Sequence, residues 1–425
     1  MGEPPIDNES MNSSANRLVD NLASETARRP AADLCLDVGR PGRQLSIYPG
    51  RAGYDLQEEL DYLTYRVMEA NVFFAPRFLA PAMPRLDDRQ VRFAVIRDED
   101  ARRSRVRLMM PFSVEKPGFS VGPSILRVWS NVFGPLGTPL VDAEGAAETI
   151  DNLLEALARP EAKLPDVLVL PDLRLNGRFT QLIKAVAISR DLPLTITNTF
   201  ARPILQSEED GDTYLKSTIS RNHLREMRRQ FRLLGEAGRV SYNVARQPEE
   251  IRVRMEEFLA LEASGWKGRK RSAMVMDRYH AAFAREAITN LAEVDAVRIH
   301  TLDLNGRAIA SMVVFIMAGE AYTWKTAFDE RYARFSPGKL LIADLTDWHL
   351  DDPNIERTDS CVMTDHTIVN RFWKQREEMG TLLIGLKHNA DRDTRQAATQ
   401  LHMYSNTRNL ARILRDKILS RRFND

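Results

Sequence analysis

The spacing of apolar residues switches between two periods along this chain. Around residues 43–50 (RQLSIYPG) apolar and polar positions alternate, as on a strand with one covered face. From Tyr54 to Ala70 the spacing lengthens to three and four, which predicts a helix with one apolar stripe. Gln90–Arg97 and Arg103–Val114 read as strands joined into a hairpin by the polar turn Asp98–Arg102. Ile125–Val132 is a further strand, followed by the loop FGPLGTPL and a helix over 143–158. DVLVLPDL then predicts a short buried strand, residues 179–189 a helix, and LPLTITNTF another strand.

The second half runs through the same order. Val240–Ala245 is a strand, and Pro248–Ala263 a helix that Pro248 starts well. After SGWKGRKR comes a helix over 273–291, then a hairpin of Val297–Leu304 and Arg307–Met317 through Asn305–Gly306. An aromatic-rich strand, Ala321–Phe328, leads through a basic turn into a helix opened by Ser336, Pro337 and Gly338. The strand 359–363, the helix 369–379, the strand TLLIGLK and a basic helix over 393–421 complete the chain. Alternating signals of this kind predict an α/β fold, and the repeated order predicts an internal duplication. Leu215–Leu234 reads as a separate basic connector helix.

Composition narrows the class only a little. With 425 residues, two domains are expected. Sixty basic residues stand against fifty-nine acidic ones, so overall charge selects no partner and only local patches can. Two distant cysteines, Cys35 and Cys361, suit neither a disulfide framework nor a thiolate metal site. No zinc, calcium or nucleotide-binding motif occurs, so no metal is expected. The longest apolar stretch, 308–318, is about half of what a bilayer crossing requires. No signal peptide is legible, and a soluble cytoplasmic protein with a mobile tail over 1–37 is expected.

The chemistry concentrates at residues 320–352. A strand feeding a helix through Arg331, Arg334 and Lys339 brings free backbone N–H groups and positive charge to one point, as a phosphate or diphosphate requires. Ser336, Gly338, Lys339 and Leu340 complete the candidate phosphate turn. Ser336 also fits an N-cap and Pro337 the first helical position. Trp266 and Lys267, at the helix break, are candidates for stacking on and charge-pairing with a substrate, and Trp324 lies on the facing strand. Asp329, Asp365 and His366 fall at strand ends as candidate proton acceptors, although Lys325 and Asp329 could simply pair with each other. Arg221, Arg225, Arg228, Arg229 and Arg232 stripe one side of the connector. With Phe231 as the only aromatic among them, the stripe reads better as a solvated face than as a nucleic-acid platform.

The order of helix pair, hairpin, strand, phosphate turn, helix and strand resembles the GNAT-type acyltransferases. FFAPRFLAP (73–81), FGPLGTPL (133–140), the basic connector 221–238, FLALEASGWKGRKRSAM (258–274) and TWKTAFDERYARFSPGKLL (323–341) are similar to the CelD-like acetyltransferase group, itself akin to tandem-GNAT FemAB transferases. The resemblance implies two tandem GNAT-like lobes with mixed, mostly antiparallel sheets: a tail over 1–37, a degenerate first lobe over 38–207, the connector 208–238, and a donor-binding lobe over 239–425. It further implies transfer of an acetyl or acyl group from acyl-CoA to an amine or hydroxyl of a small-molecule or glycan acceptor, in cell-surface polysaccharide or cellulose biosynthesis. DNA is not an expected partner. The chain departs from the family's glycine-rich turn in keeping only Gly338, and Pro337 supplies no N–H. Two rival expectations follow: a Fem-like transferase using aminoacyl-tRNA, and a non-catalytic accessory of a polysaccharide synthase.

Overall fold

The computed structural model describes residues 29–86, 90–100, 104–362 and 369–422, without the side chains of 409–422. Its first half consists of β1 (Leu34–Asp37), β2 (Arg43–Pro49), α1 (Gln57–Thr64), α2 (Pro76–Leu86), β3 (Arg92–Glu99), β4 (Ser104–Glu115), β5 (Ile125–Val128), β6 (Leu140–Val141), α3 (Ala146–Ala158), β7 (Val167–Arg174), α4 (Arg178–Ser189) and β8 (Leu194–Leu205). Then follow α5 (Gly211–Thr218), α6 (Arg221–Glu236), β9 (Val240–Ala245), α7 (Pro248–Ser264), α8 (Trp266–Arg269), α9 (Arg278–Ala292), β10 (Val297–Leu304), β11 (Arg307–Met317) and β12 (Glu320–Phe328). The chain continues through α10 (Pro337–Asp351), β13 (Arg357–Asp359), α11 (Val369–Phe372), β14 (Gln375–Gly385) and α12 (Asp391–Arg422).

All fourteen strands join one sheet, in the order β1-β2-β3-β4-β5-β7-β14-β8-β13-β12-β11-β10-β9, with β6 attached to β4. The two halves are sewn together by exchange. β14, from the second half, pairs with both β7 and β8, while β8, from the first half, also pairs with β13. Each half contains a single parallel step, β5 beside β7 and β12 beside β13. In the second half, α7 and α9 cover one face of the sheet and share a core with Phe315, Tyr322 and Trp324. α6 and α10 cover the other face, around Val314, Ala321 and Phe335. This is the α/β architecture expected, and the Asn305–Gly306 hairpin forms with φ of 53° and 79°, the left-handed pair its two-residue turn needs.

Several expected elements differ. Leu34–Asp37, assigned to the tail, is a strand paired with β2. Tyr54–Ala70 is helical only over Gln57–Thr64. The connector is two helices, because Ile219 is extended and Ser220 accepts from His223 N to start α6 afresh. The helix expected from Ala273 begins at Arg278, where the Asp277 carboxylate caps two N–H groups. Residues 375–379, expected to be helical, belong to β14: all five pair with β8 and the strand continues from Met379 between β7 and β8, which outweighs the helical spacing of QREEM.

Candidate active site

β12 carries the irregularity on which the site is built. Val313 faces Lys325 across the ladder and Val314 faces Thr323, so Trp324 is an extra residue. The bulge resets the alternation of side chains. Tyr322 precedes it, Trp324 is in it and Ala327 follows it, yet all three reach the same core, under α7 and α9. Lys325 is thereby turned to that face as well, where its Nζ lies 4.4 Å from the centre of the Phe133 ring.

β13 then leaves β12. The two run parallel only from Glu320–Arg357 to Tyr322–Asp359, and the Thr323 hydroxyl makes a last tie to Ser360 O at 2.9 Å. The parting is held by a buried network. One oxygen of Asp359 accepts from Cys361 N at 2.7 Å, bending the chain where Cys361 has a φ of 54°, and the other lies 3.3 Å from Arg202 Nη1. Arg174 joins β7 to the start of β12 through two bonds to Glu320 (2.5 and 3.0 Å) and stands 3.7 Å from Asp359. Both arginines keep Asp359 ionised against the effect of burial.

Beyond the parting lies a cavity of about 550 Å³, lined by β12 from Thr323 to Phe328, by Ser360 and Val362, and by the tip of α10 at Ser336, Pro337, Gly338 and Lys339. Ser336 occupies the N-cap position in the left-handed region, and its side chain makes no capping bond, contrary to expectation. Lys339 N bonds back to Ser336 O at 2.9 Å and Pro337 has no N–H, so Gly338 offers the first free donor of the tip. A Cβ at Gly338 would meet only Phe328, at 3.9 Å, so the tip opens into space. The residues present therefore suit an anionic group, with fewer donors than a glycine-rich turn would supply.

The opposite wall comes from α7 and α8, backed by the first half through Phe133. Lys267 Nζ bonds to the buried Glu262 at 2.8 Å and to Thr326 O at 3.2 Å, and the second oxygen of Glu262 takes Met274 N at 2.8 Å. Gly268 makes the tight turn possible, since a Cβ there would collide with Ala263 O. Trp266 is 46% exposed beneath Lys270, and its N–H donates to Glu330, whose other oxygen holds Arg269. Trp324 Nε1 donates to Phe133 O at 2.7 Å, which ties the first half's FGPLGTPL loop to the cavity wall. Burial first, then Lys267, push the Lys325 amine down to about 8.

Of the residues expected from sequence, Trp266, Lys267, Trp324, Ser336, Gly338 and Lys339 meet around this cavity. Leu340 is in the core behind the tip. Arg334 stacks on Phe335, and Arg331 pairs with Asp329 at 2.5 Å. Asp329 therefore partners Arg331, not Lys325, and that arginine holds its carboxyl below the usual range, which suits it poorly to accept a proton. Asp365 and His366 lie outside the described residues. The sequence reading missed Lys325, Glu262, Asp359 and Arg202. A lysine in the middle of an aromatic strand was the available signal for the first of these.

Residues 221–363, about a third of the chain, match the family model of the acetyltransferase (GNAT) domain. No curated protein sequence matches. Among solved structures, FemX superposes with a TM-score of 0.51 at 10% identity, covering 80% of this chain and 97% of that one. L-PGS from Bacillus licheniformis does so at 0.49 and 14% identity, covering 81% and 96%. A tandem GNAT protein of the clavulanic acid biosynthesis pathway gives 0.38 at 12%, covering 81% and 99%. Residues 221–363 thus match a GNAT-type acetyltransferase domain, and FemX shares the mixed α/β fold. The CelD-like assignment goes beyond these likenesses.

Proposed function

We propose that the chain is an acyltransferase that moves an acetyl or acyl group from acyl-CoA to an amine or hydroxyl of a small-molecule or glycan acceptor. The single observation that carries this reading is the cavity opened where β13 leaves β12, with the free tip of α10 at its mouth. The tip would receive the donor's diphosphate through Gly338 N–H, the helix dipole and Lys339. The acyl thioester would then lie in the gap between the strands, against Thr323–Phe328. There the acceptor's nitrogen or oxygen forms a bond to the thioester carbon, the carbon–sulfur bond breaks, and the thiolate leaves. The acceptor's proton passes to a base, for which Asp365 and His366 are the proposed groups. Positioning accounts for most of the rate, because the thiol is a good leaving group. In this reading residues 239–425 form the donor-binding lobe, and residues 38–207 a degenerate copy whose Phe133 loop helps wall the acceptor.

The test is calorimetric titration with acetyl-CoA and free coenzyme A. Micromolar to submillimolar binding, weakened in Lys339→Ala, is the expected result. Absence of binding at millimolar ligand would remove the reading and favour an accessory role.

One feature supports a second donor. Arg221, Arg225, Arg228 and Arg232 of α6 are exposed and make no ion pair among the described residues, so a polyanion such as aminoacyl-tRNA could be held there. Binding of tRNA that weakens steeply with salt, and is lost on changing Arg225 and Arg228, would select that donor over coenzyme A.

A further inference from the structure

We propose that the acceptor bound in this cleft carries an acidic group, a carboxylate or a phosphate monoester, which pairs with Lys325. The word acceptor rests on the acyl-transfer reading above. The charge argument does not.

Lys325 stands on the face of the sheet covered by α7 and α9, whereas α10 and its phosphate-binding tip stand on the other. The gap between β12 and β13 joins the two sides into one cavity. An anion held at the α10 tip is therefore not the natural partner of Lys325. Nor do the described residues supply one. Among the described residues its Nζ has no hydrogen bond or ion pair, only the rings of Phe133 at 4.4 Å and Trp324 at 5.9 Å.

The described carboxylates nearby are already used. Glu262 is shared between Lys267 and Met274 N, Glu330 holds Arg269 and Trp266 N, and Asp329 holds Arg331. Among the described residues two ammonium groups thus face one buried carboxylate, which leaves one positive charge unmatched in largely apolar surroundings. Leaving such a charge enclosed is unfavourable, and the depressed pKa of Lys325 reports that penalty. A neutral ligand would desolvate the amine further without compensation. An acid would neutralise it, and in this setting the pair forms a strong, charge-assisted hydrogen bond.

The experiment uses three probes of one shape: phenylacetate, phenyl phosphate and the neutral phenylacetamide. Each is titrated calorimetrically at pH 7 into the full-length wild type, Lys325→Met and Lys325→Arg. At least one acid is expected to bind the wild type tenfold or more tighter than the amide, and whichever acid binds tighter names the group. The margin should vanish in Lys325→Met, with affinity for the amide kept, and survive in Lys325→Arg. Equal affinity of acids and amide for the wild type, a margin that persists in Lys325→Met, or no probe binding at millimolar concentration would each overturn the proposal. Coenzyme A titrated into the same samples reports separately on the α10 tip. If it fails to bind while the acid margin depends on Lys325, the acyl-transfer reading falls and the anion site stands.

Discussion

Among the described residues the unit of strand, helix and parallel strand occurs twice, and a cavity opens beside the second copy. In the first half α3 links β6 to β7, which runs beside β5; in the second, α10 links β12 to β13. The α3 tip is acidic and already matched: Glu144 pairs with Arg105 at 2.7 Å and Glu148 lies 3.3 Å from Arg43. Trp129 and Leu136 are buried in the loop beyond β5, and Gly137 lies so close to Pro171 O that a Cβ would collide. At α10 the tip carries Pro337, Gly338 and Lys339 beside a cavity. On this comparison a helix dipole beside a parallel strand pair is not expected to suffice for ligand binding. The gap must be left empty, and the tip must not already have its anion.

The largest expected difference between the two helices is their response to acid. α3 buries Asn152, which accepts from Arg43 Nη1 at 3.0 Å and does not titrate. α10 buries His349, whose Nδ1 lies 2.8 Å from the Thr358 hydroxyl, and it packs against the fully buried His300. Burial pushes His349 down to about 3 and His300 well below its ordinary value. Below pH 6.5 the unfolded chain binds protons that the folded one refuses, so stability contributed by the neutral rings falls between about pH 6.5 and 3. For His349 alone this amounts to roughly 3–5 kcal/mol as an upper bound. Hydrogen exchange at pH 7 and pH 4.5 should show protection lost in α10 and β10 before α3, and His349→Gln should flatten the difference. Equal loss in both helices would break the comparison.

Exchanging the charge of the tips tests it next. Gly338→Asp with Lys339→Glu gives α10 the acidic start of α3, and binding of coenzyme A should weaken about 100-fold, near 2–3 kcal/mol. The melting temperature should hardly move, because both positions border open space. The reverse change, Glu144→Lys with Glu148→Lys, should create no binding, since the gap beside α3 is filled. Coenzyme A bound by that second variant would show that charge alone decides.

Much of this architecture was legible from periodicity and turn chemistry. The hairpin at Asn305–Gly306 and the Pro337 start of α10 depend on local backbone preferences, which sequence reports directly. That Ser336, Gly338 and Lys339 share one turn was legible for the same reason. What failed depends on distant partners. Residues 375–379 are a strand because β8 pairs with all of them and β7 joins from Met379 on, and no local signal encodes that. Asp359 reads as an ordinary surface acid until Arg202, far away in sequence, is found against it. Lys325 could by spacing pair with Asp329, four residues on, but the bulge at Trp324 turns it to the other wall while Arg331 claims the aspartate. A bulge is a register event between two strands, and one strand's sequence does not display it.

The smallest effect expected concerns how the closed copy shapes the open one. Phe133 belongs to the first half, yet its ring lies over Lys325 and its carbonyl holds Trp324. Two opposing terms set the amine's pKa. The ring attracts the charged form, by about 0.5–2 kcal/mol, and it also excludes water, which favours the neutral form. Because burial is the leading cause of the shift to about 8, the second term should win. In Phe133→Ala the Lys325 pKa is then expected to rise by about one unit, close to 1.4 kcal/mol. The folded pKa lies below the unfolded value near 10.5, so Lys325 makes wild-type stability increase with pH across about 8 to 10.5. That slope should shrink in Phe133→Ala, as read from denaturant midpoints over this range with Lys325→Met as the flat reference. A pKa that falls instead would mean the ring acts on Lys325 mainly by attraction, and that the first half contributes a cation-binding surface to the cleft and not a water-excluding one.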